Sequence, residues 1–444
     1  MRANPHPPIY RHILRACAIA VLGTVPATAQ SQESWPMVGG DPSHTGVAEG
    51  PPAPYRKVWS TRISDPGTIA GPVVQDGSVV VVAAETVVAL SAETGEIQWE
   101  AAREPGPAGP AAIDGERVVF AEGTGARAVV TSVNLNDGAE NWHFDTKSPV
   151  VGGVTVESGL AYVGSRDGKV RALDVESGDE EWSFDVSGRA ETPPAVAQNL
   201  VLVIAEGFKT GRATAHALDV RTGKEEWSFS PEGVAIGASA AAVGENLAVF
   251  GLGDLKVHAL ELESGRERWS GPSRAPFSAR MVPAFGDDVF IADRLGHLYR
   301  FDATTGEEIW VFRVPGSFLT GAPALIDSTV IAGDTSGQVS AIDLDSGHLV
   351  WKEDISARPV PGISVAGDRI FVSSADGSVL ALEHDPRGSL LDEASPTQLF
   401  VGRAVLNFAG AFVFLLIVLV TLFRWVGRRR GVRFANEIAT EVDG

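Results

Sequence analysis

Eight tryptophans cut most of this 444-residue chain into nearly equal lengths. Trp59, Trp99, Trp142, Trp182, Trp227, Trp269, Trp310 and Trp351 follow one another at steps of 40, 43, 40, 45, 42, 41 and 41 residues. Seven of them end a common phrase, clearest at Ala172-Leu173-Asp174-Val175-Glu176-Ser177-Gly178-Asp179-Glu180-Glu181-Trp182. Within it a glycine stands four residues ahead of the tryptophan, at Gly95, Gly138, Gly178, Gly223, Gly265, Gly306 and Gly347. A period of this length restricts the chain to a solenoid, a propeller or an array, in which each unit buries its apolar face on its neighbours.

Each copy reads as two strands joined by a tight turn. The Ala-Leu strand runs into an acid, two variable residues and Ser/Thr-Gly, where glycine supplies the positive φ of the bend and the acid and hydroxyl bond turn amides. Alternation along the second strand predicts Glu180, Trp182 and Phe184 on one face and Glu181, Ser183 and Asp185 on the other. Two further β-rich runs precede each phrase, such as 200–204 before Asp219. Four short strands in about 40 residues make one propeller blade.

Ala-Leu strands end near Leu90, Leu135, Asp174, Asp219, Glu261, Asp302, Asp343 and Glu383, which counts eight. The tryptophan strands also count eight but are offset, since Trp59 has no preceding partner and Glu383 no following tryptophan. Pairing the Trp59 strand with the last blade closes the ring and leaves no open sheet ends. The expected fold is all-β, an eight-bladed β-propeller over 56–385.

The phrase resembles the repeat of pyrroloquinoline-quinone-type (PQQ-like) propellers, over about residues 35–385. A WD40 array has the same period but needs a Trp-Asp dipeptide, and no tryptophan here precedes an aspartate. The segment from Trp35-Pro36-Met37 to Thr45-Gly46, within a lead-in at 30–55, also resembles the start of bacterial members. Quinone-dependent members imply vicinal cysteines, a catalytic aspartate and Glu/Asn/Asp calcium ligands. The only cysteine here is Cys17, and Asp174, Asp219, Asp302 and Asp343 all occupy the turn position of their copies. No catalytic, cofactor-binding or metal-binding residue is therefore assigned, and PQQ with calcium is not expected. His216 and His258 share one repeat position on different blades, so they form no local metal pair.

The two ends read differently from the repeat. Residues 1–29 carry Arg2, Arg11 and Arg15, an apolar stretch and Ala27-Thr28-Ala29, the order of a secretory signal peptide. A polar stalk at 386–402 leads to a predicted transmembrane helix at 403–424, whose uncharged core is 404–423. Arg424, Arg428, Arg429, Arg430 and Arg433 follow it, against Arg403 alone before it, which puts the tail 425–444 in the cytoplasm and the propeller outside.

Charge excludes one class of partner. The chain has a net charge of −20; the first 29 residues hold three arginines and no acid, and 403–444 hold six arginines and three acids. The propeller part therefore carries about −26, opposite to the basic footprint that nucleic acid requires. The expected function is a membrane-tethered, single-pass, extracytoplasmic scaffold that binds a protein partner at the propeller rim, without catalysis. The alternatives are a sensor holding a small molecule or cation in the central funnel, and a quinone-dependent dehydrogenase with a degenerate site. The resemblance permits the scaffold, since PQQ-like propellers without quinone chemistry include an outer-membrane assembly lipoprotein and sensor domains of bacterial kinases. Residues 103–125 and 270–282 depart most from the repeat and are the first places to look for loop function.

Overall fold

The computed structural model describes residues 34–207, 212–231, 239, 241–244, 246–277, 284–285, 288–314, 319 and 321–391. The signal segment 1–29, the transmembrane helix 403–424 and the tail 425–444 lie outside the described residues, as does the stalk from 392 onward. Among the described residues there is no α-helix, and no helix is long and apolar enough to cross a membrane.

The strands form eight antiparallel sheets in chain order. Blades 1 to 7 begin with innermost strands at Val73–Gln75, Ala112–Asp114, Val150–Glu157, Ala195–Ala197, Ala242–Gly244, Ala284–Phe285 and Ala324–Ile326. Blade 8 runs from Gly362–Ala366 through Arg369–Ser373 and Ser378–His384, and takes its outermost strand, Tyr55–Arg62, from the other end of the repeat. That strand pairs antiparallel with Ser378–His384, Trp59 opposite Ala381. Innermost strands of successive blades touch from blade 1 to blade 6 and from blade 7 through blade 8 back to blade 1. The fold is an eight-bladed propeller closed by the Trp59 strand.

Second strands are apolar without alternation because both faces meet neighbouring blades. Val79, Val80, Val81 and Val82 are all fully buried. What fastens blade to blade is the tryptophan. The indole N–H of Trp59, Trp99, Trp142, Trp182, Trp227, Trp269 and Trp310 donates to the carbonyl of Ala92, Leu135, Val175, Val220, Leu262, Ala303 and Leu344, respectively, at 2.6–3.1 Å. Each acceptor follows the first polar residue of the next blade's turn, which is Ser91, Asn134 or, in the other five, an acid. The ring itself lies on the glycine of that turn: a Cβ on Gly95, Gly138 or Gly178 would sit 2.6 Å from the Trp59, Trp99 or Trp142 ring, and Gly223, Gly265, Gly306 and Gly347 face the next four tryptophans in the same way. The glycine thus serves both the left-handed bend and the indole docking.

One expectation is corrected. Trp182 and Phe184 do share a face, but Glu180 does not join them. A β-bulge between the outer two strands sets Ala172 opposite Trp182 and Leu173 opposite Glu180, with Glu181 as the extra residue. The Glu180 carboxylate therefore lies 3.3 Å from Arg171 Nε, on the Ser183 face. The same register shift occurs in all eight blades.

The turn acids are hydrogen-bond acceptors. Asp174 Oδ1 accepts from the amides of Glu176 and Ser177 and from the Ser177 hydroxyl, and Asp219 and Asp302 do the same with their turns. These bonds, led by the Ser177 amide, the Thr222 hydroxyl and the Thr305 amide, hold the three carboxyls below the usual range.

Gly159 and Gly178 lie in the same blade with φ of +80° and +78°, but only Gly178 has a ring beneath it. Gly159→Ala should cost about 1–2 kcal/mol, the left-handed penalty alone. Gly178→Ala should cost about 1–3 kcal/mol more, because the new methyl collides with Trp142. Denaturant titration of the two variants measures the difference; equal losses would remove the indole from the account of why glycine is required.

Candidate functional site

Two faces follow from the blade connectivity. One carries the turns between the first and second strands and the Asp-x-x-(Ser/Thr)-Gly turns. The other carries the loops between blades and the turns between second and third strands. The lead-in, which the sequence marked only as a family-like start, fills the axis at the first face.

Its carbonyls cap the exposed inner edges. Trp35 O accepts from Val74 N, Pro36 O from Ile113 N, Pro42 O from Val196 N, Ser43 O from Val243 N and Gly46 O from Leu325 N, at 2.6–2.8 Å. Each donor is the middle residue of a three-residue innermost strand, so one segment satisfies blades 1, 2, 4, 5 and 7. Val47–Ala48 then adds a parallel strand to blade 7, beside Leu325 and Ile326. These contacts are made by backbone, which is why no side-chain pattern announced them.

His44 fixes the middle of the segment. It is fully buried, and its Nδ1 lies 3.0 Å from Ala241 O of the approach to blade 5. Its Nε2 lies 3.2 Å from Thr155 Oγ1 of blade 3, which itself donates to Pro194 O at 2.6 Å. Burial lowers the imidazole pKa, against smaller raising effects of the Ala241 carbonyl and of Asp41. Asp41 in turn accepts from Ser43 N, Thr45 N and the Thr45 hydroxyl.

Above the lead-in an axial cavity of about 60 Å³ remains, lined by Trp35 and Val38 below and by Pro72, Pro110, Pro193 and Pro361 ahead of their innermost strands. The strand starts crowd together there: a Cβ on Gly71 would lie 3.1 Å from Gly362 Cα. Quinone chemistry in this family would need a pocket of several hundred Å³ and carboxylate or amide oxygens for a hard cation. Among the described residues the lining has no acidic, basic or amide side chain. The residues present do not fit a calcium–quinone pair.

Elsewhere the buried histidines are tied into their blades. His216 Nδ1 meets Glu225 at 2.7 Å, and His258 meets Glu267 at 2.8 Å and Asp254 at 3.1 Å. The two histidines lie in blades 4 and 5, each held by its own blade. Among the described residues no group of His, Cys, Asp and Glu is arranged to hold a metal. Asp293, fully buried, accepts from the Tyr299 hydroxyl at 2.5 Å and lies 2.8 Å from His297 Nδ1; burial raises the Tyr299 pKa. None of the three lines the axial cavity.

Of the two irregular stretches, the first has a structural explanation. Arg103 is buried and donates to the carbonyls of Ala83, Ala84, Pro107 and Ala121, pinning the loop between blades 1 and 2. Burial lowers its pKa despite Glu122 nearby. In the second, Phe277 is fully buried against Gly251.

The repeat, its indole staple and the closing Trp59 strand define a PQQ-like eight-bladed propeller. The chain belongs to the family described as outer membrane protein assembly factor BamB, whose profile matches residues 53–129, 126–292 and 294–391. It is 28% identical over 267 residues to the assembly factor BamB of Salmonella typhimurium, covering 58% of this chain and 59% of that protein. The chain thus spans about six-tenths of that relative's length. Among solved structures it is similar in fold to BamB of Moraxella catarrhalis, with a TM-score of 0.61 at 20% identity over 76% of this chain and 99% of the other. A europium-containing methanol dehydrogenase gives 0.63 at 12% identity over 80% of this chain and 98% of the other, a likeness of fold alone.

Replacing the His44 imidazole by His44→Ala should cost about 2–4 kcal/mol, from the lost packing and the unpaired Ala241 and Thr155 groups. Because the folded pKa lies below that of the unfolded chain, the unfolded state takes up the proton first. The stabilisation is complete above about pH 6.5 and falls away below it, by up to about 1.4 kcal/mol per pH unit. Denaturant midpoints between pH 8 and 5 should decline less steeply for His44→Asn than for the parent; parallel profiles would show that His44 does not titrate in this way.

Proposed function

We propose that this protein is a membrane-tethered, extracytoplasmic scaffold that binds a protein partner through the loops of its open face, as an assembly factor without catalysis. The observation that carries the reading is the sealed axis. With the lead-in occupying one end and uncharged side chains lining the rest of the described funnel, the variable chemistry of the molecule lies in its surface loops. Family membership supports the same reading, since the relatives' names describe assembly of outer membrane proteins. Tethering rests on the uncharged stretch 404–423 and the arginines after it, and export on residues 1–29. The acidic propeller supports a protein partner over nucleic acid.

The test uses the full-length chain in membranes. Photo-reactive amino acids placed at Arg166 and Arg358, on the open face, and at Lys224 and Arg266, on the sealed face, should cross-link to a membrane-associated protein from the first pair only. In parallel, thermal melts with quinone and calcium should show no shift, whereas a ligand at one hundred times its Kd adds about 2.7 kcal/mol. A calcium-dependent rise in melting temperature accompanied by dye-linked alcohol or sugar oxidation would make the funnel an active site and end the scaffold reading.

A further inference from the structure

Four of the eight blades share one form of the turn between second and third strands on the open face, and blade 5 keeps its hydrogen bonds but changes the residue. Gly168, Gly296, Gly337 and Gly377 occupy the same place in blades 3, 6, 7 and 8, with φ between +80° and +91°. Each donates its N–H to the carbonyl three residues earlier, and its own carbonyl accepts from the residue that follows the outermost strand: Val186, Val314, Ile355 and Ile63. In blade 5 the residue with both bonds, to Leu252 O and from Ser273 N, is Leu255. Its φ is +64°, a region that a leucine enters only against steric resistance. The side chain is 41% exposed, so core packing does not account for the strain. Such an outlier is an argument for function when no packing explains it.

The neighbouring blade makes a matching departure. Where blades 3, 5, 7 and 8 carry Asp167, Asp254, Ser336 and Asp376, blade 6 carries Leu295, 46% exposed. One short loop joins the two turns: Ser273 N donates to Leu255 O at 2.8 Å, and Pro276 O accepts from Arg294 N at 2.9 Å. Two exposed leucines therefore stand on adjacent turns. Their flanking residues, Lys256 and Arg294, are exposed and form no ion pair among the described residues. The local acids are engaged inward, Asp254 with His258 and the fully buried Asp293 with Tyr299 and His297. On a chain of net charge −20, this patch presents apolar and basic groups together.

We infer that the Leu255–Leu295 patch is the docking point for an extended polypeptide segment of the partner in which apolar side chains alternate with carboxylates. The inference rests on the scaffold reading and narrows it to one place and one chemistry. The leucines would take the apolar side chains, and Lys256 and Arg294 would draw the acids, which an otherwise acidic surface repels.

The experiment measures fluorescence polarisation of labelled twelve-residue peptides against the full-length chain in nanodiscs of zwitterionic lipid. The probes carry two leucines flanked by aspartates, the same leucines flanked by lysines, and aspartates with the leucines replaced by serine. The first should bind at least about tenfold more tightly than the other two. Leu255→Gly restores the residue of blades 3, 6, 7 and 8, so its melting temperature should match or exceed the parent's while binding weakens about tenfold. Leu295→Ser and the pair Lys256→Glu with Arg294→Glu should weaken it similarly. Equal binding of all three probes, or undiminished binding by a folded Leu255→Gly protein, overturns the inference. So does adsorption to anionic vesicles, or self-association abolished by Leu295→Ser, in place of peptide binding. Cross-links elsewhere on the open face without peptide binding at this patch would leave the scaffold reading standing and remove this inference alone.

Discussion

Seven of the eight blade junctions in this ring rest on an indole that hydrogen-bonds to, and lies across, the turn of the next blade. Truncating a buried tryptophan costs about 3–5 kcal/mol in other folds. Here seven are coupled in series, so the geometry of one turn sets the position of its neighbour. The glycine is part of the same contact, because any Cβ would push the ring away from the carbonyl it bonds. That double requirement ties each of these tryptophans to the turn glycine of the following copy, and its recurrence gives the chain its period.

The contacts that depend on side-chain identity are the ones legible in the sequence. Blade number, ring closure through Trp59 and the role of the turn aspartates follow from residue types at fixed spacing. The bulge beside each tryptophan was not, because Glu180-Glu181-Trp182 reads equally well as simple alternation. The strand register and the Arg171–Glu180 ion pair reveal which acid has been turned over. Least legible was the lead-in. Its carbonyls at Trp35, Pro36, Pro42, Ser43 and Gly46 do the bonding, and a carbonyl leaves no mark in a sequence. His44 could have drawn attention as a histidine between polar neighbours, but its burial comes from the ring around it.

Closure is less uniform than the repeat. Among the described residues Trp351 lies on no turn glycine of the next blade, because blade 8 is made from both ends of the repeat. Its ring instead meets Tyr55 edge-on at 5.5 Å, and Leu391 N donates to Val350 O at 2.7 Å. The core cluster here gathers Trp35, Trp59, Trp351 and Phe371, joining lead-in, first blade and last blades in one apolar body. With the chain's one cysteine at position 17, no disulfide fastens the described ring. The seam depends on this cluster and on strand pairing across more than three hundred residues, the kind of non-local contact that folds late.

A ring locked in this way can tolerate a strained loop, and that bears on how Leu255 is understood. In a loosely held turn, a leucine in the left-handed region would relax by shifting the backbone, and the departure would say little. Here the turn is held at both ends, by Leu252 and by Ser273, in the same pattern that glycine satisfies in four other blades. The strain persists because the scaffold over-determines the position. A residue that neither packs nor relaxes the fold is therefore explained by what it presents outward, beside Leu295 and two cations that form no ion pair among the described residues.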